Sequence, residues 1–344
     1  MVYKCCHSWH CVELATGCGN FATDDIWTQA LLYVVAVPTR ARRLIYEQTI
    51  RASVACSGVG LHSGAPVRMK LLPAPSGTGI VFRRTDLEGF LLEAHGSNVA
   101  KVSYATSLMK RGVFISTTEH LLSALVGSGV DNAFVELDNL ELPILDGSAR
   151  PFVEMIQRAG LRKQRRLRTY MRIRRELELS EGNKFIGVYP ADSYSVSYTI
   201  DFAHHLIGRE TFRVNLSDGN YLREIAPART FGFLHQAEAM REQGLIRGAS
   251  IENAIVLTPE GLMNPPLRYD DEFVRHKVLD LIGDLALVGK QILGSIVADR
   301  AGHAMHTALV SRLLRDKSLW EETTLEETAN ATPPAAPALV GDSL

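Results

Sequence analysis

Long apolar runs, a spread of cysteines and an excess of charge of either sign are all missing from this chain, and each absence removes a class of protein. The longest apolar stretch near the start, Ala30 to Pro38, falls far short of the roughly 20 residues that cross a bilayer. Acidic rather than basic residues precede it, so neither a membrane span nor a secretory signal is expected. Of five cysteines, Cys5, Cys6, Cys11 and Cys18 crowd the start and only Cys56 lies in the body, which excludes a disulfide framework. His7 and His10 interleave with the early cysteines, but the paired spacings of structural zinc modules are missing. A formal net charge of -1 over 344 residues gives no concentrated basic field, so nucleic acid is not an expected partner. The local exception is a basic run, Arg162, Lys163, Arg165, Arg166, Arg168, Arg172, Arg174 and Arg175. It reads as a solvated connection between two domains; weak peripheral contact with an anionic membrane surface is the sharper alternative.

What remains is the composition of a soluble globular protein, 46% hydrophobic and 22% charged, long enough for two domains. Short, partly alternating, β-branched stretches predict strands at Gln48 to Ala55, Val67 to Leu72, Gly79 to Arg83 and Asn132 to Leu137. Helices are predicted at Thr117 to Val126 and Pro151 to Ala159. Past the basic run, strands recur near Met171 to Leu179, Phe185 to Tyr189 and Tyr194 to Asp201, and a long helix runs from Asp271 to about Val288. The economical fold class is therefore α+β in two halves, 43–165 and 166–320. An extension of unassigned role, 1–42, precedes them, and a Pro/Ala-rich tail, 321–344, follows. The loop Gly58-Val59-Gly60-Leu61-His62-Ser63-Gly64 has Ser63 where a dinucleotide loop needs its third glycine, and a strand rather than a helix follows. It reads as a tight turn, with His62 at its tip within reach of a site.

The chemistry concentrates in two places. Glu119 and His120 are adjacent, and His276 and Asp280 are four residues apart, which puts the latter pair one turn apart on one helix surface. Two imidazoles and a carboxylate with a second carboxylate alongside are what a hydrolytic zinc site needs: three ligands, an open position and a base. Ser116 and Glu119 also spell a capping box, which explains Glu119 without chemistry. On the second helix Val274, Val278, Leu281, Ile282 and Leu285 share one face, with His276, Asp280 and Asp284 opposite. That polar face is either solvated or covered. Phe273 and Leu287 on the same side favour cover, and covered ionisable groups need partners.

Taken with these pairs, several blocks resemble one family, the zinc-dependent UDP-3-O-acyl-N-acetylglucosamine deacetylases of lipid A biosynthesis. The blocks are Gly58 to Gly64, Arg83-Arg84-Thr85-Asp86, Ile115 to Leu121, Asp131-Asn132, Leu145 to Ala149 with Pro151-Phe152, Ala228 to Phe233, Asp271 to Asp280 with Gly283-Asp284, and Gly302-His303-Ala304. The resemblance implies a zinc ion on His120, His276 and Asp280, Glu119 as general base, and His303 as general acid oriented by Asp284. It implies Thr230 at the oxyanion, Lys277 and Phe231 around the diphosphate and sugar, and Asp201 and Phe202 in the nucleoside region. Leu234, Ile251, Ala254 and Val256 fall where the family has its acyl passage. A four-layer sandwich of two similar halves with the site between them is the implied fold, in a monomeric cytoplasmic enzyme. The implied reaction removes the N-acetyl group of a UDP-linked, 3-O-acylated N-acetylglucosamine. Two alternatives are a deacetylase of another acylated amino sugar and a catalytically silent nucleotide-sugar binder. The cysteine-rich start has no counterpart in the family. Some members also carry cysteine just before the Ile115 block, where this chain has Ala105-Thr106-Ser107.

Overall fold

A computed structural model describes residues 45–325 apart from 101–103, 217–219 and 265. The extension 1–42, with its cysteines, and the Pro/Ala-rich residues from Ala329 on lie outside the described residues. Among those described, the fold is α+β. A five-stranded sheet forms first, in the order Val54–Val59, Pro66–Pro73, Ala133–Leu137, Ile80–Arg84, Phe90–Glu93. Its strands alternate as half-buried sheets do, with Val67, Met69 and Leu71 facing inward and Arg68 and Lys70 outward. A seven-stranded sheet follows, centred on Gln291–Asp299, which pairs with Lys184–Tyr189, Tyr194–Phe202 and Thr169–Ile173.

Among the described residues five α-helices accompany the sheets: α1 Glu119–Gly127, α2 Arg150–Ala159, α3 Leu234–Glu242, α4 Glu272–Leu285 and α5 His303–Arg315. Helices α1 and α4 are buried on nearly all sides, α4 with the ionisable His276, Asp280 and Asp284 included. They cross where a side chain would not fit: a Cβ on Gly283 would lie 2.0 Å from the Glu119 carbonyl oxygen. The turn at Gly58 to Gly64 is tight, as its composition predicts, with Gly64 at φ +66° and its N–H donating to the Gly60 carbonyl at 3.0 Å.

Four local expectations change. The predicted strand Gln48 to Ala55 is two strands, Tyr46–Ile50 and Val54–Val59, separated by a bend. The segment Met171 to Leu179 likewise divides into Thr169–Ile173 and Leu177–Glu181. The basic run is not simply a solvated connection, because Leu161–Leu167 is a strand antiparallel to Tyr46–Ile50. Its charges are accommodated by Glu47 against Arg166 at 3.3 Å and by Lys163 over the Tyr46 ring. Finally, Trp320–Thr324 pairs with Thr169–Ile173, so sheet structure continues past the expected boundary at 320.

Candidate active site

Helix α1 delivers Glu119 and His120, and α4 delivers His276, Lys277, Asp280 and Asp284. The polar face of α4 is covered: His276, Asp280 and Asp284 are all buried, because α1 packs across it at Gly283. Nor is the capping box formed. The residue preceding α1 is Thr118, which makes no side-chain cap. Ser116 Oγ pairs with Ser107 Oγ at 3.0 Å, and Glu119 Oε2 accepts the Thr106 N–H at 3.1 Å. Just before α1, buried Thr117 sits at φ +59°, which is uncommon for a β-branched residue. Its hydroxyl donates to Glu141 Oε1 at 2.9 Å, and Glu141 also accepts the His62 and Ser63 N–H groups.

The imidazoles of His120 and His276 meet edge to face, and both aim Nε2 at Asp280 Oδ1, at 3.6 and 3.3 Å. His276 Nδ1 lies 3.1 Å from the Ala228 carbonyl, so it carries the proton and leaves the Nε2 lone pair facing Asp280. Burial lowers the His276 pKa to about 4, which keeps the ring neutral as a metal ligand must be. Burial alone would raise the Asp280 carboxyl, but His276 and Lys277 outweigh it and hold the group well below the usual carboxylate range. Lys277 Nζ lies 2.8 Å from Asp280 Oδ2. Ligand atoms placed tetrahedrally around zinc at roughly 2.0–2.1 Å stand about 3.3 Å apart. The donor set therefore fits a tetrahedral ion. Glu119 is buried beside it, and burial raises its pKa.

One turn further along α4, Asp284 Oδ2 is 2.7 Å from His303 Nδ1 and 2.8 Å from His306 Nδ1, both on α5. Burial would lower the His303 pKa, but Asp284 outweighs it and raises the group to about 9. Asp284 itself falls to about 2, the opposing effect of burial being overcome by His303 and His306. Thr106 joins the two carboxylates, since its N–H reaches Glu119 and its hydroxyl donates to Asp284 Oδ1.

An apolar cavity of about 330 Å³ is lined by His62, Thr230, Phe231, Leu234, Ile251, Ala254 and Val256. Phe231 connects it to the cluster, packing edge to face on Phe202, on Phe273 and on His276. Asp201 lies apart: it is exposed and faces Arg209 at 3.6 Å.

The model of the LpxC family, described as UDP-3-O-acyl N-acetylglycosamine deacetylase, matches residues 47–315. The chain belongs to this family. It is 50% identical over 286 residues to a UDP-3-O-acyl-N-acetylglucosamine deacetylase of Solibacter usitatus, covering 83% of this chain and 97% of that protein. A protein of the same name from Marinobacter nauticus is 43% identical over 292 residues, covering 84% and 96%. Sequence reasoning had no place for Thr106, Glu141, Tyr198 or His306 at the site. Only His306 carried a signal, because it follows His303 by three residues, the spacing of neighbours on one helix face.

Proposed function

We propose that this chain is a deacetylase that hydrolyses the N-acetyl amide of UDP-3-O-(3-hydroxyacyl)-N-acetylglucosamine, a step of lipid A biosynthesis. The observation that carries the reading is the convergence of His120, His276 and Asp280 beside buried Glu119 in a chain of this family. We assign zinc to that triangle: held by His120, His276 and Asp280, it would lower the pKa of a water to about 7 and polarise the amide carbonyl. Glu119 accepts the proton of the attacking water as the carbon–oxygen bond forms. Thr230 donates to the developing oxyanion. His303, charged through its contact with Asp284, protonates the nitrogen as the carbon–nitrogen bond breaks, leaving acetate and the free sugar amine. Lys277 and Phe231 bind the diphosphate and sugar, His62 meets the substrate from its turn, and Asp201 with Phe202 faces the nucleoside. The cavity bounded by Leu234, Ile251, Ala254 and Val256 takes the acyl chain, as its apolar lining supports.

The enzyme works as a cytoplasmic monomer built from two halves; among the described residues no helix is long and apolar enough to cross a membrane. The test measures acetate release from the acylated substrate and from its non-acylated analogue, with and without a chelator. Chelator-sensitive release from the acylated sugar alone is the expected result. Equal turnover of both sugars would defeat the acyl assignment, and release from neither would favour a silent binder.

A further inference from the structure

His306 is fully buried, takes no part in the steps above, and yet touches the centre of the proton-handling apparatus. It shares one face of α5 with His303, and both rings bring Nδ1 onto a single oxygen, Asp284 Oδ2. A carboxylate oxygen has two lone pairs, and these two donors occupy them. The second oxygen accepts from Thr106. On its other side His306 Nε2 lies 3.1 Å from the hydroxyl of Tyr198, which is itself buried and 2.7 Å from the Ala301 carbonyl.

Burial lowers the His306 pKa despite the nearby carboxylate, so the ring is neutral and carries one N–H. Were that proton on Nε2, a bare nitrogen lone pair would face the Asp284 carboxylate at 2.8 Å, two acceptors with no hydrogen between them. The proton therefore sits on Nδ1, and Tyr198 shares its own hydrogen between Nε2 and Ala301. The torsion that rotates an aspartate carboxylate is broad and soft, so each donor removed leaves the carboxylate plane freer to turn.

We propose that His306 is a positioning residue: its Nδ1–H locks the plane of the Asp284 carboxylate, leaving one lone pair aimed at His303 Nδ1 and so fixing where His303 Nε2 points. This rests on the reading of His303 as proton donor to the departing amine. His306 does not touch substrate, and with its ring and Tyr198 both buried it is no route for protons to solvent.

Three substitutions separate this role from packing. His306→Asn keeps an N–H close to the Nδ1 position, His306→Gln reaches toward Tyr198 instead, and His306→Phe keeps volume with neither bond. In the zinc-loaded enzyme we expect the Phe and Gln variants to lower kcat about 10-fold or more, with KM and metal content unchanged, and the Asn variant to recover most of the loss. Nitrogen-15 NMR of the wild-type protein should show His306 protonated at Nδ1. An Nε2-protonated ring, full kcat in the Phe variant, or equal losses in all three variants would each overturn the proposal. His303→Ala identifies which idea has failed. Unchanged kcat there removes the His303 reading itself, whereas loss of kcat there with full activity in His306→Phe removes only the role of His306.

Discussion

Two aspartates of helix α4, a single turn apart, each sit in a triangle with two histidines, and the two triangles are held in different ways. Around Asp280 the ring nitrogens stand 3.3 and 3.6 Å from one oxygen, the spacing of atoms that share an ion. Around Asp284 they stand at 2.7 and 2.8 Å, the spacing of atoms that share a hydrogen. Composition is the same in both, so distance and the orientation of the rings decide the chemistry. His120 and His276 present Nε2 and leave a gap, while His303 and His306 present Nδ1 and close it. By spacing, the first triangle suits a cation and the second a shared proton.

The largest test of this contrast removes one side of the open triangle. His276→Ala should lose both bound zinc, about one per chain in the wild type, and nearly all turnover; metal analysis that finds full occupancy would end the distinction. Next, Glu119→Gln should keep its zinc and lose turnover by about a hundredfold or more. If zinc is lost while turnover per bound zinc holds, Glu119 belongs to the ligand set instead. A milder perturbation separates the helices that frame both triangles. Gly283→Ala puts a Cβ against the Glu119 carbonyl and should cost about 1–3 kcal/mol, read by denaturant unfolding. An unfolding curve identical to wild type would show that the crossing has slack.

The smallest effect concerns the N-terminal anchor of α4, where Glu210 Oε2 accepts the Val274 N–H at 3.0 Å. Burial raises the Glu210 pKa from 4.5 to about 7. The folded state thus keeps a proton that the unfolded chain gives up, and this contribution to stability is greatest below pH 4.5 and is lost as the pH rises to about 7. Glu210→Gln should therefore gain in melting temperature relative to wild type between pH 5 and pH 8, by roughly 2–4 °C. A difference that is flat with pH would refute the linkage.

How much of this was legible depended on distance along the chain. His276 and Asp280 announce themselves through helical spacing, and Phe273 and Leu287 correctly indicated that their face is covered. The turn at Gly58 to Gly64 was readable because its geometry is set by adjacent residues. Thr106, Glu141 and Tyr198 were not, because each acts on partners in other elements and no local period connects them. The capping box failed for the same reason: a nearby backbone N–H, that of Thr106, took the Glu119 carboxylate. The strand Leu161–Leu167 was hidden by its charges, which resemble a linker until Tyr46–Ile50 supplies the pairing edge.

Thr106 holds Glu119 with its backbone and Asp284 with its side chain, so the residue is answerable to both halves of the chain at once. A chimaera that took residues up to about 165 from one relative and the remainder from another would keep the contact to Glu119 whole and split the contact to Asp284 between its parents. Its activity would depend on whether the donor at position 106 and the acceptor at position 284 had drifted together. Substitutions at Glu119 and Asp284 should likewise be epistatic rather than additive, since the same threonine transmits each to the other.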